Sequence, residues 1–245
     1  MSLLQGRVAL VTGSSSGIGK ATAHHLASLG AHVVVNSATS IEAGERVASE
    51  LETPSIYLQG DITDPGDRER LITVTLESYG RLDILINNAG WTSFIEHGNL
   101  EALTDDIFRR TFEVNVFGTW SLTKLAMPHL EASPDGNVVS ITSVAGIRPA
   151  GSSIAYSMSK ASLNHMTRLL AKSFGPVRVN AVAPGLIETP WTSDWDDVHE
   201  LVAQRAPAQR SGKSDEVATA VGGLVTNGYI TGAVLVVDGG LSQVL

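Results

Sequence analysis

Short runs rich in Val and Ile recur along this chain, each followed by a longer stretch whose apolar residues keep helical spacing. Seven runs are strand candidates: Val8–Thr12, His32–Asn36, Ser55–Gln59, Asp83–Asn87, Asn137–Thr142, Val177–Ala183 and Ala233–Val237. Their apolar residues are continuous rather than alternating, as in strands of a parallel sheet covered on both faces. Helices are expected near 17–29, 40–51, 65–79, 100–131, 154–174 and 214–225. Thr63-Asp64-Pro65 offers the third of these a capping side chain and a proline for its first turn. Such alternation requires right-handed crossovers, and so predicts an α/β fold: a doubly wound parallel sheet of about seven strands with helices on both faces. With 245 residues, one domain spanning 1–245 has ample core.

One stretch breaks the rhythm. Between Pro184 and Lys213 no strand is expected, and only a weak helix near 194–205. A connection that long is usually a functional lid or a disordered segment. Trp191 and Trp195 favour a lid over about 186–213, because disordered segments are poor in aromatics.

Composition removes several functions. A net charge of −8 without a basic run suits no nucleic-acid backbone. Cysteine is absent, so disulfides, thiolate-bound metals, iron–sulfur clusters and thiol nucleophiles are excluded. The seven histidines form no His-Glu-x-x-His, and His24 and His25 are adjacent and cannot share a helix face, so no metal site is expected. The first residues, broken by Gln5, Gly6 and Arg7, do not read as a signal peptide. No apolar run approaches the ~18 residues of a membrane span. The expectation is a cytoplasmic protein with no membrane partner.

The first strand runs into Thr12-Gly13-Ser14-Ser15-Ser16-Gly17-Ile18-Gly19 and then a helix. Glycines let such a turn approach a diphosphate closely, and the helix N-terminus adds free N–H groups and a positive dipole end. A plain Gly/Ser surface turn is the alternative; the strand–turn–helix setting favours a cofactor site. The second strand ends at Asn36-Ser37-Ala38-Thr39, where an acid would grip the adenosine ribose and repel a 2′-phosphate. None is present, so neutral hydrogen bonds from Asn36 and Ser37 are expected, and the balance tips slightly from NAD towards NADP. Asp61 follows the third strand and Asn87-Asn88-Ala89-Gly90 the fourth, both at carboxyl ends where open α/β sheets bind ligands. Asp61 is a candidate acceptor for the adenine amino group, and Asn88, Ala89 and Gly90 a backbone wall.

Tyr156 and Lys160 stand four residues apart on one helix face. A free tyrosine has a pKa near 10, too high for ready proton exchange at neutral pH. An ammonium alongside, and a first-turn position after a Ser152 or Ser153 cap, are expected to lower it. Ser143, ending the fifth strand, is placed to hold a substrate carbonyl towards Tyr156. There is no Gly-x-Ser-x-Gly elbow for a serine hydrolase. Asn115 shares the apolar stripe of its helix with Phe108, Phe112, Gly118, Leu122 and Leu125, so its amide must find partners, structural or as a relay through water.

In order and spacing, these motifs, with Asn180-Ala181-Val182-Ala183-Pro184-Gly185 and Asp238-Gly239-Gly240, resemble the compact form of the short-chain dehydrogenase/reductase family over essentially the whole chain. The resemblance implies a Rossmann-type fold, NAD or NADP, and hydride transfer to or from a carbonyl or alcohol carbon. It implies Tyr156 as acid/base, Ser143 on the carbonyl, Lys160 on the nicotinamide ribose and Asn115 holding a relay water. Ser15, Ser16, Gly17, Ile18, Ile62, Pro184, Gly185, Ile187 and Thr189 would join Gly13, Gly19 and Asp61 along the cofactor. A homotetramer or dimer built on the helices containing Asn115 and Tyr156 is implied too.

Trp91, Ile95, Ile147, Trp191 and Trp195 are candidates for an apolar substrate wall beneath a closing lid. The leading expectation is an oxidoreductase for a small to medium alcohol or ketone. A 3-oxoacyl-[acyl-carrier-protein] reductase is the alternative, disfavoured by acids expected near the cleft, namely Glu131, Asp135, Asp194, Asp196, Asp197 and Glu200. A non-catalytic dinucleotide sensor is more distant, since it needs no Ser143, Tyr156 and Lys160 together.

Overall fold

A parallel sheet of seven strands runs through the computed structural model, which describes residues 2–245. The strands are β1 (Val8–Val11), β2 (His32–Ser37), β3 (Ile56–Gln59), β4 (Ile84–Asn87), β5 (Asn137–Ile141), β6 (Arg178–Pro184) and, last in the chain, β9 (Val234–Val237). Their spatial order is β3-β2-β1-β4-β5-β6-β9, so the winding reverses between β1 and β4. That switch point opens a crevice at the carboxyl ends of the strands. Helices α1 (Gly17–Ser28), α2 (Ile41–Glu50), α3 (Pro65–Tyr79), α4 (Asp105–Phe112), α5 (Thr119–Ala132), α6 (Ile154–Ser173) and α8 (Ser214–Thr226) cover the sheet.

Two apolar cores result, one on each face. Val33, Val35, Ile84 and Ile86 pack under α1 and α8, while Leu10, Val34, Leu85 and Val138 pack under α3 and α5. Neighbouring strand residues thus point into opposite cores, which is why these strands read as unbroken apolar runs. Asp64 caps α3 by accepting from the Asp67 N–H at 2.9 Å.

Two regions depart from expectation. The helix foreseen over 100–131 starts only at Asp105, after the Thr104 cap, and a π-helical turn at Glu113–Gly118 separates α4 from α5. In the lid stretch, two short strands appear where none was expected. β7 (Ile187–Glu188) and β8 (Gly212–Lys213) pair in parallel and close the base of the segment that carries α7 (Asp196–Arg205). Two-residue strands bear no periodicity signal, because only a contact between distant segments makes them strands.

Candidate active site

At the switch point, the ends of β1 and β4 are tied together. Thr12 Oγ1 accepts the N–H groups of Asn88 and Ala89 at 3.0 and 3.1 Å, and Asn88 Nδ2 donates to the carbonyls of Thr12 and Gly13, both at 2.9 Å. Asn88 is therefore a structural tie. Gly13 has φ +61°, and a Cβ there would lie 2.9 Å from Ala89 Cα. A Cβ on Gly19 would lie 2.3 Å from the Gly13 carbonyl oxygen. Only glycine permits so tight a cradle.

The start of α1 opens into this cradle. Ser16, at the cap, makes no side-chain capping bond, and the first turn holds no acid. Unpaired N–H groups at the positive end of a helix suit an anionic group. The loop therefore fits the diphosphate of a dinucleotide, with Gly13, Ser15, Ser16, Gly17 and Gly19 around it. Ile18 turns its side chain to the core.

Farther along the crevice the side chains expected at the adenosine end are spent elsewhere. Asn36 donates to the carbonyls of Leu58 and Gly60 at 3.1 and 3.0 Å. Ser37 donates to the Ser40 carbonyl and lies 2.9 Å from the Tyr57 hydroxyl. Both are buried, so it is Ala38 and Thr39 that stand exposed after β2. Asp61 Oδ1 accepts from the backbone and hydroxyl of Thr63, both at 2.8 Å, which leaves Oδ2 for another donor. The side chains of Ile62 and Ile187 lie in the two cores, so only their backbones are available to a ligand.

The candidate acid/base residue, Tyr156, comes from α6. Ser153 caps this helix through the Tyr156 N–H at 3.1 Å, so Tyr156 occupies the first turn and Lys160 the next. Lys160 is only 4% exposed, and its Nζ donates to the Ile141 carbonyl at 2.9 Å while lying 5.5 Å from the Tyr156 ring centre. Burial pushes the Tyr156 phenol up to about 12, with the Ser143 hydroxyl drawing it part of the way back. Burial takes Lys160 down to about 8. The expected lowering of Tyr156 by Lys160 is therefore not found. Desolvation favours the neutral phenol, and the ammonium is turned towards Ile141 instead.

Ser143 reaches the site at the end of β5, where it caps the short turn Val144–Gly146 through the Ala145 N–H at 3.1 Å. That turn presses on α6: a Cβ on Gly146 would lie 2.6 Å from the Lys160 carbonyl carbon. Gly146, which sequence reasoning did not single out, thus sets the spacing of Ser143 to Tyr156. Only its closeness to backbone identifies it, and sequence carries no sign of that.

Asn115 lies fully buried in the π-helical turn. Its Nδ2 donates to the Trp91 carbonyl and to Ser159 Oγ, both at 3.0 Å, and its Oδ1 accepts the Trp91 N–H at 2.7 Å. Both amide hydrogens are committed, leaving one lone pair on Oδ1. Ser159 in turn donates to the Tyr156 carbonyl at 2.7 Å, which joins Asn115 to α6 beside Tyr156. Ser159 and the π-turn were not foreseen; interruptions of this kind often mark functional sites.

Around this centre stand the aromatic candidates. A Cβ at Gly90 would lie 3.4 Å from Asn115 Oδ1, 3.6 Å from Lys160 Nζ and 3.6 Å from Trp191 Cη2. Trp191 of the 186–213 stretch thus overhangs this cluster. Trp195 meets Phe94 edge-on with ring centres 5.4 Å apart, linking the same stretch to the segment after β4. The Arg110 guanidinium covers Trp91 at 4.6 Å. Ile95 donates its N–H to the Ser152 carbonyl at 2.7 Å, and Thr92 and Ser152 join hydroxyls at 2.7 Å, bracing the cleft. Ile147 is exposed just past the Ser143 turn. Pro184 ends β6 and Gly185 follows it, while a Cβ on Gly17 would lie 3.4 Å from Thr189 Cβ.

Two expected neighbours lie far off. Asp135 pairs with Arg178 and Arg7 at 2.9 and 3.3 Å at the amino ends of the strands, and Glu131 is on the last turn of α5 beside it. Neither flanks the cleft. Among the described residues, no cluster of His and acids is arranged to hold a metal, and no helix is long and apolar enough to cross a membrane.

The family model described as enoyl-(acyl carrier protein) reductase matches residues 13–242. A Streptomyces violaceoruber protein named "Granaticin polyketide synthase putative ketoacyl reductase 2" is 52% identical over 95% of both chains. A 3-oxoacyl-[acyl-carrier-protein] reductase from Synechocystis is 36% identical over 98% of this chain and 99% of the relative. A crystal structure described as a "putative short-chain dehydrogenase/reductase from Burkholderia xenovorans" superposes with a TM-score of 0.91 at 31% identity, covering 97% and 98% of the two chains. The cradle at the β1–α1 turn, the Ser143–Tyr156–Lys160 grouping and relatives matched from end to end agree: this chain belongs to the short-chain dehydrogenase/reductase family of NAD(P)-dependent oxidoreductases acting on carbonyl and alcohol groups.

Proposed function

We propose that this chain works as a ketone reductase, with Tyr156 as proton donor, Ser143 holding the carbonyl, Lys160 on the nicotinamide ribose and Asn115 holding the site together. The observation that carries this reading is geometric: the Ser153 cap sets Tyr156 in the first turn of α6, within reach of the Ser143 hydroxyl and with Lys160 Nζ 5.5 Å from its ring centre. Burial keeps the phenol protonated, and the bound cofactor and substrate must bring its proton affinity back towards neutrality for transfer. The bound dinucleotide supplies or takes up the hydride. Ser143 orients the carbonyl oxygen, which takes the phenolic proton as the alcohol forms. Lys160, brought to about 8, remains mostly charged at neutral pH and offers two further hydrogens besides the one given to Ile141.

NADPH is the favoured cofactor. No acid follows β2 to repel a 2′-phosphate, and Ser16 and Thr39 offer neutral donors near it. Fluorescence titration with NADPH and NADH tests this: tighter NADH binding would reverse the choice.

The acyl-carrier reading gains support as a second one. Relatives named ketoacyl and 3-oxoacyl-carrier reductases are similar over nearly the whole chain. Two of the six acids that disfavoured it, Glu131 and Asp135, stand away from the cleft. Comparing kcat/KM on a carrier-bound 3-oxoacyl chain with that on its free thioester analogue separates the readings. Unchanged absorbance at the reduced-nicotinamide band with both of these and across a broad ketone panel would refute both readings.

The stretch 186–213 acts as the lid, and the working form is a homo-oligomer, preferably a tetramer. Leu235 and Val236 of edge strand β9 are both exposed although they point to opposite faces, and Phe117 and Trp120 are exposed beside the Asn115 turn. Light scattering would identify a monomer if this is wrong.

A further inference from the structure

Trp191 differs from every other aromatic ring around the cleft. Trp91 has a guanidinium on its face, and Phe94 and Trp195 are engaged with each other. Among the described residues, Trp191 makes no ring–ring or cation–π pair, yet it is 46% exposed and its Cη2 overhangs Gly90 beside Lys160 and Asn115. An indole left unpaired beside a reaction centre is a stacking surface for whatever lies there.

The lid also holds this ring in place. Trp191 is the middle residue of the short turn Pro190–Thr192. Thr192 Oγ1 donates to the Ile187 carbonyl at 2.7 Å, and the Thr189 N–H donates to Thr192 Oγ1 at 3.2 Å. His199 of α7 then bridges the lid's two ends, with Nε2 3.1 Å from the Thr192 carbonyl and Nδ1 2.7 Å from Ser211 Oγ. A ring on a braced turn loses little freedom when a ligand stacks on it, so contact area turns into selectivity.

We infer that Trp191 selects planar, ring-bearing ketones over flexible open-chain ones by stacking on the ring next to the reacting carbonyl. This rests on the ketone-reductase reading and adds the class of substrate. An open-chain acyl group presents no flat face and must freeze several bonds to lie under an indole, whereas a fused-ring ketone presents one already formed.

The test compares 2-tetralone with ethyl acetoacetate, and adds titration of intrinsic fluorescence with 2-naphthol, a planar compound that the enzyme cannot reduce. In the Trp191→Leu variant, which keeps apolar bulk without a π-face, the ratio of kcat/KM for tetralone over acetoacetate should fall about 5-fold, as one lost ring contact implies. Trp191→Phe should retain most of the ratio. Naphthol affinity should weaken in step in Trp191→Leu. Equal losses on both ketones, or naphthol affinity unchanged in Trp191→Leu, would overturn the proposal. Should the wild type reduce neither ketone, the broad ketone panel decides the reductase reading, and the naphthol titration still decides whether Trp191 is a stacking surface.

Discussion

Asn115 pairs with the backbone of Trp91 from both sides, its Oδ1 accepting the N–H at 2.7 Å and its Nδ2 donating to the carbonyl at 3.0 Å. One buried side chain thus pairs with the backbone as a neighbouring strand would, beyond the end of β4 at Asn87. Through Ser159 it ties the Asn88–Trp91 segment to α6. Replacing Asn115 with Leu leaves two part-buried backbone groups unpaired, so stability should drop by about 1–2 kcal/mol. Because Trp91 and Gly90 then lose their placement, kcat should fall more than KM changes. Denaturant melts and steady-state kinetics on the same variant check both; an unchanged kcat would reduce Asn115 to a packing role.

Tyr156→Phe removes one hydroxyl and keeps the ring that packs on Lys160. Ketone reduction should fall by about 10²–10⁴-fold, the usual worth of a positioned general acid. The dissociation constant for the reduced cofactor should stay within a few-fold of wild type by fluorescence titration. Turnover near the wild-type rate would show that another group delivers the proton.

The pH profile has a defined sign. Lys160 carries its charge below about 8 and loses it above, while Tyr156 holds its proton until about 12. Reduction rate should therefore decline as pH rises through about 8, on one limb. Lys160→Arg, charged at all these values, should be slower overall but should lack that limb. A decline that persists in Lys160→Arg would assign it to a different group.

Stability depends on a second buried charge, away from the site. Burial would push the Asp83 carboxyl up, but Arg81, the Ser133 hydroxyl and the Val8 N–H together outweigh it and leave it lowered. Arg81 meets it with two bonds of 2.8 and 2.6 Å, and Val8 with one of 2.9 Å. A lowered carboxyl stabilises the fold above the ordinary carboxylate range and ceases to do so as pH falls through its folded value. Asp83→Asn should cost on the order of 2–4 kcal/mol near neutrality, less than a fully enclosed pair because Arg81 is partly exposed. The gap to wild type in urea midpoints should narrow in acid. A constant gap from pH 7 to pH 3 would exclude the charge as its source.

Strand and helix positions were legible because covered parallel strands are forced to be apolar on both faces, and Val33 to Val35 or Ile84 to Ile86 leave little else to read. The Gly13–Gly19 turn was legible for a similar reason, since a strand, a glycine turn and a helix start follow without a gap. Asn36 and Ser37 were misplaced because a polar residue at a strand end reads the same whether it faces a ligand or, as here, the carbonyls of Leu58, Gly60 and Ser40. Asp135 was set near the cleft although it lies just before β5, and a residue just before a parallel strand lies at the amino end, opposite the crevice.

Sequence alone determined that a glycine turn joins the first strand to a helix and that Tyr156 and Lys160 lie one turn apart on another, because both follow from spacing along a single strand, turn or helix. Only the tertiary structure decided the proton affinity of Tyr156, the partners of Asn115 and the position of Trp191 over Gly90. Each of these depends on how segments far apart in the chain exclude water from one another, and desolvation is a property of the assembled fold.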